Sequence, residues 1–149
     1  MLSGIFFFER VNIFVNMLSA CRLIACISPN LKQMSNIPFQ CINWETIEKV
    51  EHKGDVGVAY WQTVQLGGLR IRLVEYAKNY IADHWCRKGH IVHCLEGEFI
   101  SEMEDGECFR LSKGMTYVVS DELSSHRSVS KEGVRLLIVD GDFLKNDIN

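Results

Sequence analysis

Four of the five histidines lie between residues 84 and 126, and the densest stretch reads His84-Trp85-Cys86-Arg87-Lys88-Gly89-His90-Ile91-Val92-His93-Cys94. Imidazole and thiolate together are a borderline-soft donor set. They suit zinc, nickel, copper or iron and suit magnesium or calcium poorly. In an extended chain, residues of equal parity share a face. His84 and Cys86 therefore point one way; His90, Val92 and Cys94 also share a face, and His93 opposes them. The Lys88-Gly89 step offers a bend that keeps the first pair near His90, and His126, from a later strand, closes the set from across a barrel. Ligation would lower the Cys86 thiol pKa and hold the sulfur as thiolate. Two other readings use the same residues: ordinary packing of a His-x-Cys pair, and a Cys86–His thiol nucleophile.

The elements that must position these groups read as strands. Gly57–Gln65 is rich in β-branched and aromatic residues, and Gly67-Gly68 after it is a two-residue hairpin signal. Leu69–Tyr76 then alternates, with Leu69, Ile71 and Leu73 on one side and Arg70 and Arg72 on the other. His90–Leu95 ends at Glu96-Gly97; Phe99–Met103 ends at Asp105-Gly106; Cys108–Leu111, Met115–Val119, Arg127–Val129 and Val134–Val139 complete about eight strands. Short strands at regular spacing with Gly turns predict an all-β sandwich or barrel. Trp44–Val50 reads as a short helical turn near the start. There is no βαβ alternation, so a doubly wound nucleotide fold is excluded as an expectation.

The chain has 149 residues, 47% apolar, 23% charged and 10% aromatic, which is one ordinary globular domain rather than a fibre or coiled coil. No Lys/Arg run exceeds two residues, so no nucleic-acid footprint is expected. Residues 1–33 stand apart: they carry only Glu9, Arg10, Arg22 and Lys32 and are apolar without a pattern, whereas residues 34–149 hold 13 basic against 18 acidic groups. The longest uncharged stretch, Val11–Cys21, is short of the about 20 residues a spanning helix needs. Residues 1–33 read as an N-terminal extension ahead of a domain at 34–149. The alternative is a targeting segment, since Leu18-Ser19-Ala20-Cys21 resembles a lipoprotein cleavage box. Cysteines at 21, 26, 41, 86, 94 and 108 show no CxxC spacing, which points to free thiols in a reducing compartment and a cytoplasmic location, with export through residues 1–26 as the alternative.

The stretch from His84 to Glu98 resembles the first cupin motif. His84-x-Cys86 stands in the His-x-His place, His90 in the Glu place, and His93-Cys94-Leu95-Glu96-Gly97-Glu98 in the strand and turn. Gly114 through Ser120-Asp121-Glu122-Leu123-Ser124-Ser125-His126 resembles the second motif, without its Pro and Gly. Over about 105 residues, Pro38 to Phe143, the chain is similar to the small bacterial DHCW-motif cupins. That likeness is carried by Tyr60-Trp61-Gln62-Thr63, Asp83-His84-Trp85-Cys86, Gly89–Glu98 and Ser120–Ser128, with Trp85 and Cys86 in reverse order to the family name. The resemblance implies a cupin double-stranded β-helix, a jelly-roll-like barrel with an open end, and ligands His84, Cys86, His90 and His126 projecting inward to one divalent transition metal (Zn, Ni, Cu or Fe). It further implies small-molecule-directed activity and a homodimer. The alternative is a non-enzymatic ligand-binding or sensing cupin with a structural metal or none. Cupin sites usually use three His and one Glu, so this donor set is softer and favours zinc, nickel or copper over manganese.

Plainer readings compete at several residues. Arg70 and Arg72 read first as the solvated face of an edge strand, and second as an anion-binding barrel mouth. Tyr60 and Trp61 read as core packing ahead of ligand stacking. Trp85 should point away from its ligand neighbours; His93 reads as a surface group, and Asp83 as a turn residue or as a carboxylate orienting His84. Glu102, Glu104, Asp105 and Glu107 form an acidic, solvated hairpin. No nucleophile elbow, P-loop, dinucleotide fingerprint or His-Glu-x-x-His is present. No catalytic or substrate-binding residue is named.

Overall fold

Alternating side chains, one face apolar and the other polar, oblige a strand to bury one face against a partner sheet. The computed structural model describes residues 36–145 and shows nine strands doing this: β1 (Val50–Lys53), β2 (Val58–Leu66), β3 (Leu69–Tyr76), β4 (Tyr80–Ile81), β5 (His90–Met103), β6 (Cys108–Ser112), β7 (Thr116–Val119), β8 (His126–Ser130) and β9 (Val134–Gly141). All pairings are antiparallel, in the order β1-β2-β3-β9-β5-β8-β4, with β6 and β7 also paired to β5. The expectations for residues 1–33 lie outside the described residues.

β5 organises the barrel. Its first half pairs with β9 and β7, and its second half with β6 and β8. The strand thus belongs to two sheets. It crosses between them through an irregularity at Cys94/Glu96 and through Gly97, whose φ is +78°. Glu96-Gly97 was expected to end one strand and separate it from the next. Instead it bends a single 14-residue strand, because the bulge turns the chain without releasing its ladder. A side chain at Gly97 would sit 2.6 Å from the Gly133 carbonyl oxygen, so the corner also requires glycine for close approach.

The inward faces of β3, β5, β6 and β9 build one core of Val74, Val92, Cys94, Phe99, Leu111, Val134, Leu136 and Ile138, against which Trp61, Tyr76 and Tyr117 pack. β9 alternates strictly, burying Val134, Leu136, Ile138 and then Asp140. The fourth inward position of an apolar stripe therefore holds a carboxylate. Gly67-Gly68 forms the expected two-residue turn between Leu66 and Leu69. The helical turn is a single 3-10 turn, Trp44–Thr46, and Val50 already begins β1. Gln62 fastens that turn, donating from Nε2 to the Trp44 and Ile47 carbonyls.

One expectation reverses. β3 is an interior strand between β2 and β9, and its Arg70/Arg72 face points inward. Arg72 is 5% exposed, so the solvated-edge reading of this pair is corrected. The apolar Leu69 and Ile71 take the outer face, half-buried. Among the described residues no helix is long and apolar enough to cross a membrane, and Cys41, Cys86, Cys94 and Cys108 are free thiols.

Candidate metal centre

Three of the four expected ligands converge. Cys86 sits in the segment before β5 and exchanges both backbone hydrogen bonds with His126, the first residue of β8 (Cys86 N–His126 O 2.7 Å, His126 N–Cys86 O 3.0 Å). Directly paired residues of an antiparallel bridge put their side chains on the same face. The thiol and the imidazole therefore emerge side by side. His90 opens β5 and faces inward, buried with Val92 and Cys94. Gly89 makes that position reachable. Its N–H donates to Asp121 Oδ1 (2.7 Å), and a Cβ there would lie 2.7–2.8 Å from the backbone of Val119–Asp121. The expected bend at Lys88-Gly89 is thus a close crossing of two chain segments.

One potential ligand atom from each of Cys86, His90 and His126 lies within 4.8 Å of the others. Cys86 Sγ is 3.2 Å from His90 Nε2, and the His90 and His126 rings meet edge to face with centroids 5.6 Å apart. His84 lies outside this group. Its side chain is 65% exposed and its Nδ1 is 2.6 Å from Asp83 Oδ1, as expected of an orienting carboxylate, while the residue still contributes to the wall of the neighbouring cavity. Trp85 turns away, 38% exposed, with the Arg127 guanidinium 4.6 Å from its ring. His93 faces outward and bonds Thr116 Oγ1 through Nδ1.

Each imidazole has a polar group behind it. His126 Nδ1 is 2.8 Å from Ser124 Oγ, which leaves Nε2 as the free ligand atom. His90 Nδ1 has no hydrogen-bond partner and lies 3.6 Å from Asp140 Oδ2. Asp140 accepts from Arg70 Nε (2.9 Å) and from Arg72 NH2 (2.6 Å). A carboxylate behind the distal nitrogen of a histidine, itself fixed by hydrogen bonds, is the arrangement that orients metal-binding imidazoles. Sequence reasoning missed Asp140 entirely. Its only signal was position, an acid at the fourth even place of the Val134 stripe.

The charges follow from these contacts. Burial disfavours the Cys86 thiolate, but its hydrogen bond from His90 and the nearby positive charges outweigh burial and pull the thiol pKa down. For His90, burial again opposes charge, and the Asp140 and Cys86 contacts overcome it, so its pKa is raised. His126 lacks such a partner: burial, with the His90 charge added, pushes it down to about 4, so it is neutral near pH 7. Asp140 is held well below the usual carboxylate range because His90, Arg70 and Arg72 together outweigh the penalty of its burial.

A cavity of about 80 Å³ adjoins the three donors, walled by Trp61, Arg72, Tyr76, Tyr117, Leu136 and Ile138 among others. That holds two or three waters at about 30 Å³ each. A drug-sized ligand needs roughly 300 Å³ or more. Tyr76 donates its hydroxyl to Ser128 Oγ at 3.3 Å, and burial raises the Tyr76 and Tyr117 pKa values, so both side chains are neutral.

The donor set fits a transition metal. An ion with bonds of about 2.0–2.3 Å spaces tetrahedral donors about 3.3–3.6 Å apart, and a group already within 4.8 Å reaches that by small side-chain rotations. One thiolate and two neutral imidazole nitrogens, backed by a serine hydroxyl and a carboxylate, are acceptable to zinc, nickel, copper or iron.

Comparison with solved structures places the fold. The chain is similar to an RmlC-like cupin from Shewanella frigidimarina (TM-score 0.56, 20% identity, covering 72% of this chain and 94% of that one). It is similar to ectoine synthase from P. lautus (TM-score 0.56, 19% identity, 68% and 76% covered). It is also similar to a cupin-superfamily sugar phosphate isomerase from Silicibacter pomeroyi (TM-score 0.56, 14% identity, 67% and 74% covered). These likenesses, with the curled antiparallel sheet and near absence of helix, define an all-β cupin fold. No protein-family model matches the chain, and no curated protein matches it.

Proposed function

We propose that this chain is a metal-dependent cupin acting on a small molecule, with one divalent transition metal held by Cys86 Sγ, His90 Nε2 and His126 Nε2. The observation that carries this reading is the convergence of those three side chains beside a cavity, each imidazole fixed through its other nitrogen or faced there by Asp140. Four protein ligands would close a tetrahedral site. Three would leave room for a ligand from outside the chain, which is what catalytic sites keep. The bound ion would supply Lewis acidity to an oxygen or nitrogen of a small ligand. The chain's own groups do the rest. His126, neutral and anchored to Ser124, and Cys86, poised toward thiolate, offer their lone pairs without first losing a proton to solvent. Asp140, 3.6 Å from His90 Nδ1, favours the proton on that nitrogen through its charge. Tyr76 and Tyr117 line the cavity as neutral side chains.

His84 belongs to the mouth in this reading, tied to Asp83 and outside the ligand set. The resemblance to the DHCW-motif cupins supports the same region as the site. The homodimer expected from that resemblance would form where Phe109, Met115 and Val118, each close to half-exposed or more, stand on and beside the outer strands β6 and β7. The alternative, a binding or sensing cupin, shares the site and differs in making no product.

The experiment is elemental analysis by mass spectrometry on the untagged full chain. About one equivalent of a transition metal, absent in Cys86→Ala and retained in His84→Ala, is the expected result. Absence of metal from the wild type after reconstitution with zinc, nickel, copper and iron overturns the reading.

A further inference from the structure

Among the described strands, β6 and β7 each pair with β5 alone, so the two sheets part between them. Register fixes which side chains face the gap. Phe109 and Leu111 stand opposite the buried Ser101 and Phe99, and Tyr117 and Val119 opposite the buried Val92 and His90. Directly opposed residues share a face, so all four point between the sheets. With Met103 and Met115 they line a cleft of about 450 Å³. That is within the range of small-molecule sites and several times the cavity beside the metal donors. The cleft is open to solvent, since Phe109 is 49% exposed and Met115 48%. Apolar side chains that line a concave site and still meet water mark a binding surface.

The charges select the occupant. Arg110 is the one Lys, Arg, Asp or Glu that lines the cleft, and it is paired with Glu98 at 2.9 Å. His126, on the wall shared with the metal centre, is neutral near pH 7. The cleft adjoins a depression that shares Met103, Phe109 and Ser124 with it. Glu104, Asp105 and Glu107 of the β5–β6 hairpin edge that depression, all exposed. No Lys or Arg lines it. Among the described residues these three carboxylates have no ion pair, whereas Glu102 beside them is matched by Arg127 at 2.8 Å. Main-chain hydrogen bonds hold the hairpin against the cleft wall: Glu104 N–H donates to the Ser125 carbonyl (2.9 Å) and Met103 N–H to the Glu107 carbonyl (2.8 Å). Like charges gathered on one hairpin repel, and a cation bound there relieves them.

We propose that the cleft binds an organic cation with an apolar body, the body between β6 and β7 and the charged head against Glu104, Asp105 and Glu107. An anion would meet three carboxylates, and a neutral molecule would leave them unmatched. A small hydrated cation makes no use of the apolar walls. The inference goes beyond the metal reading: the cleft shares only Tyr117 and His126 with the cavity at the metal centre.

The test is calorimetric titration of the full chain with octyltrimethylammonium, a cation that cannot ligate a metal, and with octanol, octanoate and tetramethylammonium, in chelator-stripped and zinc-loaded protein. The octyl cation is expected to saturate one site in both forms. Octanoate should bind at least about tenfold more weakly, with octanol between them, and tetramethylammonium should not saturate at the same concentrations. Glu104→Gln/Asp105→Asn/Glu107→Gln alters exposed side chains only, and should weaken the octyl cation about three- to tenfold with octanol unchanged. Phe109→Ala should weaken the octyl cation and octanol alike. Octanoate bound as well as the octyl cation, saturation by tetramethylammonium, an octyl affinity unchanged in the carboxylate variant, or no saturable binding each overturns the proposal. A second copy seated on Phe109 would compete for the same mouth, so sedimentation velocity is run on the same samples. A wild-type dimer that excludes the octyl cation, and that Phe109→Asp dissociates, gives the cleft to that copy and overturns the proposal too. A wild type that takes up no metal yet binds the octyl cation would overturn the metal reading alone, and a zinc-loaded protein indifferent to it would overturn the cleft alone.

Discussion

Cys86 and His126 are paired backbone to backbone, each donating its N–H to the other's carbonyl, although forty residues separate them in the chain. The bridge is isolated: Cys86 belongs to no strand, and the contact stitches the segment before β5 onto the start of β8. Position of the thiol is therefore set by main-chain hydrogen bonds and does not depend on the metal. His90 comes to it from the other side through the Gly89 crossing.

This division of labour gives unequal costs for the expected ligands. Cys86→Ala and His126→Ala should lower zinc affinity by a hundredfold or more, measured by competition with a chromogenic chelator. His84→Ala should change it less than threefold, because its ring is exposed and already engaged by Asp83. Equal losses in all three would place His84 in the ligand set.

Asp140 is buried with Arg72 and faces His90. Removing its charge strands a buried guanidinium. Asp140→Asn should destabilise the fold by about 3–5 kcal/mol in urea denaturation and weaken metal binding about 10–100-fold. A variant as stable as wild type would contradict the ionic role assigned to it.

The fold was legible where turn chemistry and alternation agree. Gly67-Gly68, and β3 at Leu69–Tyr76, come out with the expected bounds. The same alternation misled on orientation. An apolar stripe of Leu69, Ile71 and Leu73 opposite two arginines ordinarily puts the arginines in water; here Asp140, sixty-eight residues beyond Arg72, neutralises that face from a paired strand. No local pattern carries such a partner. β4 has two residues, too few to show a period, and β5 reads as two strands because Gly97 looks like a turn. Of the site, the parity of His90 and the later origin of His126 were readable; the convergence on Cys86 depends on a single long-range bridge.

The stability of the metal-free protein should fall with acid through His126. Its folded-state pKa is about 4, set by burial and then by the His90 charge, against about 6.5 in the unfolded chain. The unfolded chain takes up this proton first, so stability is lost as pH drops from about 6.5 to about 4 and levels off below. The gap corresponds to about 3 kcal/mol. His90, whose pKa is raised, works in the opposite direction. The readout is thus a comparison: chelator-stripped His126→Gln should lose about 3 kcal/mol less than wild type over that range. Parallel pH profiles would refute the assignment.

Gly89→Ala brings a methyl group within 2.7–2.8 Å of the backbone at Val119–Asp121. Backbone gives way poorly, so a loss of about 1–3 kcal/mol is expected, with weaker metal binding as His90 is displaced. Thermal unfolding and chelator competition on the one variant would test both; an unchanged melting temperature would mean the crossing has room to spare.

The most direct test of the account is X-ray absorption at the metal edge of the reconstituted full chain. One sulfur at about 2.3 Å and two imidazole nitrogens at about 2.0–2.1 Å are expected, with the sulfur lost in Cys86→Ser and the shell unchanged in His84→Ala. A first shell without sulfur in the wild type would contradict the claim that Cys86, His90 and His126 form the centre.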